Sequence, residues 1–167
     1  MMTDVRLATA ADLPGLAAVE ASGDTLFETV FDEVHWPPPP SGKERAAEPG
    51  FLLVTGEPVV GFAHVLELGG GWHLEQLVVD PAHGRRGLGT SLVDGVCREV
   101  TLRGGREVTL RTFADVPWNA PFYERQGFVE LEAEPDWMAP LRAAEERIGL
   151  TRLGRRIAMV RTSAPLV

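Results

Sequence analysis

The run Leu77-Val78-Val79-Asp80-Pro81-Ala82-His83-Gly84-Arg85-Arg86-Gly87-Leu88-Gly89-Thr90 decides how this chain is read. Leu77–Val79 suits a short buried strand, Pro81 stops it, and Gly84, Gly87 and Gly89 mark a tight basic turn. From Gly87 onward Leu88, Leu92, Val93, Val96 and Val100 recur at helical spacing, and Arg103-Gly104-Gly105 ends the helix. A turn of this kind aims several backbone N–H groups at one point, at the positive end of a helix dipole. It predicts a pocket for a pyrophosphate and hence a phosphate-bearing cofactor.

Composition narrows the partners. The chain has 167 residues, enough for one domain with its own core. Its net charge of −8 argues against nucleic acid, whose binding rests on Lys and Arg neutralising phosphates. No apolar run reaches the length of a membrane span, and Met1–Arg6 lacks the basic and apolar blocks of a signal peptide. We therefore expect no membrane partner and a cytoplasmic location. The single cysteine, Cys97, excludes an internal disulfide and reads as a core residue rather than a nucleophile. His64 and His83 have no metal-ligand spacing, so no metal is expected.

Outward from the turn, Val5–Leu7 reads as a first strand. Thr9-Ala10-Ala11-Asp12 resembles a capping box that opens a helix through Leu13, Leu16, Ala17 and Glu20, with Pro14 in its first turn. Gly23-Asp24 starts a second helical stretch carrying Leu26, Phe27, Val30, Phe31 and Val34, and Pro37–Gly42 is a stiff exposed connector. Phe51–Val54 and Val59–Val65 form a hairpin, and a further strand runs from Trp72 to Val79. Val108–Thr112 is a strand, Pro117–Gln126 a short helix closed by Gly127, and Phe128–Leu131 a strand. Leu141–Ile148 reads as a late helix and Arg156–Arg161 as the last strand. Antiparallel strands followed by a strand–helix–strand crossover predict one α/β domain, residues 1–167, around a mixed sheet.

Two phosphate-turn readings fail on spacing. A P-loop needs a Lys after its last glycine, and none follows here. A dinucleotide fold needs its glycines directly after the strand and an acidic residue ending the next one. Here Asp80–His83 intervenes, and the next strand ends in Arg111-Thr112. The third reading fits. Val78-Val79-x-Pro followed by Gly84-Arg85-Arg86-Gly87-Leu88-Gly89 resembles the Gln/Arg-x-x-Gly-x-Gly/Ala signature of the GNAT superfamily of N-acetyltransferases. Asp115–Phe128, with Asn119, Phe122, Tyr123 and Gly127-Phe128, resembles that family's second segment, although Asn119 and Tyr123 stand closer together than usual. Gly84 occupies the place where the family carries Gln or Arg, and the late helix is an addition.

The resemblance implies a single-domain α/β fold whose mixed, mostly antiparallel sheet has splayed central strands flanked by helices. It implies acetyl-CoA as co-substrate, its arm paired with Leu77, Val78 and Val79. A backbone N–H at Val78 or Val79 would polarise the thioester. The amides of Arg85, Arg86, Gly87, Leu88, Gly89 and Thr90 would hold the pyrophosphate, Asn119 would contact the arm, and Tyr123 would be the general acid. His73, Glu75, Leu77 and Val79 alternate along one face of a strand. The resemblance places the base at His73 or Glu75, of which Glu75 lies nearer the thioester. The implied activity is acetyl transfer to a primary amine of a small molecule by direct attack. A protein or peptide acceptor and a CoA-binding sensor without turnover stay open. The acceptor pocket falls to Thr25–Ser41 and Trp137–Arg156, among them Trp36, and Trp118 is a further candidate for its lining. The resemblance also allows a homodimer.

Overall fold

A computed structural model describes residues 4–163. The ends of the 1–167 span, and Met1–Thr3 of the N-terminal reading, lie outside the described residues. One sheet runs β1 (Val5–Leu7), β2 (Gly50–Thr55), β3 (Gly61–Leu68), β4 (Gly71–Val79), β5 (Glu107–Phe113), β7 (Arg156–Thr162) and β6 (Val129–Glu130) in spatial order. Only β4 and β5 are parallel, and every other neighbouring pair is antiparallel. The helices are α1 (Leu16–Asp24), α2 (Gly42–Ala46), α3 (Leu88–Leu102), α4 (Ala120–Arg125), α5 (Ala139–Arg147) and α6 (Leu150–Leu153).

Strand alternation gives the sheet two apolar faces. On one, Leu92, Val93, Val96 and Val100 of α3 pack against Leu53, Ala63, Val65, Leu74, Val108 and Leu110. On the other, Leu16 and Val19 of α1 meet Leu52, Val54, Phe62 and Val78. Full burial of each such side chain is worth about 1.5–3 kcal/mol relative to exposure, so both layers are anchored. Gly23 sets how closely α1 approaches: a Cβ there would stand 2.2 Å from Val78 Cγ2.

The expected splay is present. β4 and β5 pair only through Trp72, His73 and Leu74 against Val108, Thr109 and Leu110, and part beyond them. The expected alternation is not. On β3, His64 opposes Gln76 while Val65 opposes Leu74, so Glu75 is an extra residue, a β-bulge. The bulge shifts the phase of the strand. Leu77 and Val79 join Leu74 in the α3 layer, whereas His73 and Glu75 approach each other away from it.

Other boundaries differ for local reasons. Gly23-Asp24 does not start a second helix: α1 runs through Asp24 and tightens into a short 3-10 turn, Thr25–Thr29. Trp36 directly precedes Pro37, and the residue before a proline disfavours helix, so no helix runs through it toward Pro37–Pro40. Phe27 and Phe31 instead stack in an aromatic cluster, and Val30 is exposed. Ser41 and Glu44 form a reciprocal capping box that opens α2 inside the expected connector region. At Thr9–Asp12 the Asp12 carboxylate accepts the Thr9 N–H at 2.7 Å and both Arg6 nitrogens, and a 3-10 turn precedes α1.

Candidate active site

The glycine turn follows β4 through a single 3-10 turn, Pro81–His83, where Asp80 Oδ1 accepts the Ala82 N–H at 2.9 Å. Gly84 has an ordinary backbone, with φ −66°. The left-handed residues are Arg85, at φ 61°, and Gly87, at φ 75°. The glycine thus stands one place ahead of a position that needs it, and Arg85 carries a left-handed cost of about 1–2 kcal/mol. Gly87 is the N-cap of α3 and has no side chain with which to cap it, so the first amides of α3 keep no side-chain acceptor. They are exposed or half-buried at Gly89 and Thr90.

α4 brings the second segment to this turn. A Cβ at Gly89 would lie 3.4 Å from the Phe122 ring, so α4 sits on the first turn of α3. Tyr123 meets Phe122 and Phe128 edge-on, with ring centroids 5.2 and 5.6 Å away. Burial pushes its hydroxyl above the usual phenol range, which keeps it protonated at neutral pH. Asn119 precedes α4, and its Oδ1 accepts the Phe113 N–H in a long bond of 3.4 Å.

A valley floored by β4 lies on the face away from α3. His73 is 3% exposed, with Nδ1 2.9 Å from Thr109 Oγ1 and Nε2 3.9 Å from Glu75 Oε2. Trp137 stands edge-on to the His73 ring at 5.9 Å. Burial pushes His73 down to about 4; Arg111 acts in the same direction and Glu145 against it. The Glu75 side chain is 40% exposed, and its partial burial pushes it up to about 7. Arg45 opposes that rise, while Glu48, Glu145 and Glu20 add to it. These neighbours belong to α1, to α2 and the residues just after it, and to α5.

Several residues here escaped the sequence reading. Arg45 bonds Glu20 Oε1 at 2.6 Å and His64 Nδ1 at 2.9 Å, all three buried. Arginine only donates, so His64 Nδ1 accepts and its proton sits on Nε2. Burial pushes His64 down to about 4, with Arg45 adding to the effect. Asp24, at the end of α1, is pushed up to about 6 by burial and by the charge of Glu20. Across the valley Glu145 bonds Arg111 at 3.0 Å and Arg156 through both oxygens at 2.9 Å, and Glu134 also pairs with Arg111. These ion pairs hold the added helix α5 to β5 and β7. Trp36 and Trp118 both meet Phe27, at 5.2 and 5.5 Å, beside Phe113 at the end of β5. No cluster of His, Cys, Asp or Glu among the described residues has the geometry to hold a metal ion.

Comparison with known proteins agrees with the fold and gives the family. Residues 19–128 match the model of the acetyltransferase (GNAT) family, a stretch that contains the parting strands, the glycine turn and the Tyr123 segment. A GNAT-family acetyltransferase from Staphylococcus aureus superposes with a TM-score of 0.75 at 14% identity, over 98% of this chain and 100% of that one. The ribosomal-protein-S18-alanine N-acetyltransferase from Escherichia coli gives a TM-score of 0.66 at 19% identity, over 99% and 97%. The PaiA N-acetyltransferase from Thermoplasma acidophilum, solved with coenzyme A, gives 0.68 at 14%, over 97% and 99%. At such identities the superpositions speak for the fold, and the family match speaks for the chemistry: the chain belongs to the acetyltransferase (GNAT) family and is an acyltransferase.

Proposed function

We propose that this chain transfers an acetyl group from acetyl-CoA to a primary amine of a small molecule by direct attack of the amine. The observation that carries the reading is the parting of β4 from β5 just beyond Leu74 and Leu110. The amide-rich start of α3 follows at one end of the opening, and the Glu75 carboxyl stands in the valley beside it.

The residues present fit the co-substrate. The uncapped amides of Leu88, Gly89 and Thr90, with Arg85, Arg86 and Gly87, suit a pyrophosphate. Leu77, Val78 and Val79 offer a backbone edge that β5 does not use. Asn119 stands at the start of α4, where its Oδ1 accepts the Phe113 N–H at the end of β5, the strand that parts from β4. Bound acetyl-CoA supplies an activated acyl carbon. Glu75, poised near neutrality, takes a proton from the substrate ammonium so that the neutral amine attacks, and Tyr123, held protonated, supplies one to the departing thiolate. A backbone N–H at Val78 or Val79 steadies the charge that develops on the carbonyl oxygen. His73 is too buried and too weakly basic for the base role and supports Glu75 instead.

We take residues 1–167 as one domain of this kind working in the cytoplasm. No helix among the described residues is long and apolar enough to cross a membrane. Titration with acetyl-CoA, followed by CoA release across a panel of small amines and basic peptides, tests the whole reading. Binding heat with turnover on small amines is expected. Turnover on peptides alone would move the acceptor to protein, binding without turnover would leave a sensor, and no binding would end the proposal.

A further inference from the structure

Thr109 lies on β5 in register with His73 on the parallel strand β4, and is 6% exposed. Its hydroxyl has one proton, which can go to the Trp72 carbonyl at 3.3 Å, with His73 Nδ1–H donating to Oγ1 over 2.9 Å, or to a bare Nδ1 over that same 2.9 Å. These distances allow either direction, so the other end of the ring decides. We propose that Thr109 is a positioning residue for proton transfer: its hydroxyl donates to His73 Nδ1, fixes the ring with its proton on Nε2, and so turns an N–H toward the Glu75 carboxylate.

The Nε2 end of the ring, beside the charged Glu75 carboxylate, decides between the two tautomers. With the proton on Nδ1, Nε2 would face Glu75 Oε2 as a bare lone pair, two acceptors 3.9 Å apart. With the proton on Nε2, an N–H faces the carboxylate. The Glu75 side chain makes no hydrogen bond to protein among the described residues, so rotation about its own torsions can close the gap. The ring stays neutral because it is buried beside Arg111. His73 is thus a fixed dipole, and Glu75 is the group that changes charge. The other charges facing Glu75 are Glu20 of α1, Arg45 of α2, Glu48 just after it, and Glu145 of α5; those facing His73 are Arg111 of β5 and Glu145. None of them reaches the His73 ring nitrogens with a hydrogen bond, which leaves Thr109 as the protein group that holds the Nδ1 end.

The inference rests on Glu75 being the base, and its test is arranged so that the two fail separately. In the ligand-free protein, at a pH above the Glu75 midpoint where its carboxylate is charged, the ring-nitrogen chemical shifts of His73 report the tautomer directly and need no variant. Protonated Nε2 with bare Nδ1 is expected; protonated Nδ1 would overturn the proposal. In Thr109→Val, loss of the ordered N–H donor should raise the Glu75 carboxyl midpoint by about half a unit to one unit, the share of one hydrogen bond. Thr109→Ser should restore it. In turnover assays the acidic limb of kcat/KM should move up by the same amount. That is a loss of about three- to tenfold below the midpoint that vanishes on the alkaline plateau. An unmoved Glu75 midpoint in a folded Thr109→Val protein sinks the proposal. A moved midpoint with an unmoved acidic limb sinks the role in proton transfer. Failure of every amine to turn over would fall on the acetyltransfer reading and leave both chemical-shift tests standing.

Discussion

The turn Gly84–Thr90 and the valley around Glu75 flank the same parting of strands, and they are assembled in opposite ways. The turn is one contiguous, mostly exposed segment whose working groups are backbone amides at the start of α3. The valley draws Asp24 from α1, Arg45 from α2, His73 and Glu75 from β4, Thr109 from β5 and Glu145 from α5, and its working groups are side chains. Holding an anion on amides needs only a local conformation. Moving a carboxyl from its ordinary range to near neutrality needs walls that exclude water, and separate elements must supply them. Damage to the turn should therefore weaken co-substrate binding and spare Glu75, whereas damage to the valley should do the reverse.

The largest effect is expected from Glu75→Gln. It should lower kcat/KM by about 10²–10⁴-fold, the usual contribution of a positioned base, with acetyl-CoA binding heat unchanged. A loss under tenfold would place the base elsewhere. Arg45→Met leaves Glu20 buried without its cation and should cost about 3–5 kcal/mol in urea unfolding. Because Arg45 opposes the rise of Glu75, the same variant should push the Glu75 midpoint higher.

Acid sensitivity should come from the valley as well. His64 and His73 are pushed from 6.5 down to about 4, so the unfolded chain binds more protons than the folded one between those values. Their stabilising neutrality is complete above 6.5 and is lost as pH falls toward 4, by at most about 3 kcal/mol per histidine. Asp24 and Glu75 are shifted upward, so they act with the opposite sign, favouring the fold below their ordinary values and less so as pH rises through about 6 and 7. Melting curves of His64→Gln and wild type should differ by a constant amount above pH 6.5, with wild type losing stability relative to the variant as pH falls toward 4.

Effects at the turn should be smaller. Gly87→Ala forces a Cβ into a left-handed position at φ 75°. It should cost about 1–2 kcal/mol and weaken acetyl-CoA binding, with the Glu75 titration unmoved. A shift in that titration would mean the two regions are coupled. Arg85→Gly should change stability by less than about 1 kcal/mol, because relief of the left-handed strain is offset by the freedom glycine adds to the unfolded chain.

Much of this was open to inspection in the chain. Pro81, Gly87 and Gly89 fix a strand stop and a helix start, and α3 follows its apolar spacing from Leu88 to Val100. The bulge also left a mark that the alternation argument passed over. Trp72 and Leu74 are two apart, as are Leu77 and Val79, but Glu75-Gln76 puts two polar residues between the pairs and slips the phase by one. The capping box at Ser41-Gly42-Lys43-Glu44 was equally readable and marks α2. The helical spacing from Leu26 to Val34 misled, because the same residues can wrap an aromatic cluster as readily as line a helix face.

The sequence by itself determined the order of the seven strands and of α1, α3, α4 and α5, and the glycine turn, since each depends on residues near one another in the chain. It also named Glu75, His73 and Tyr123 as polar candidates on a strand and a short helix. Which carboxyl is poised near neutrality was decided only by the tertiary structure. That property comes first from burial, with the charges of Glu48, Glu145 and Glu20 adding to it and Arg45 opposing it, at a residue that the register of β3 makes a bulge. Desolvation and charge act through space, and no local pattern records which distant residues will form the walls.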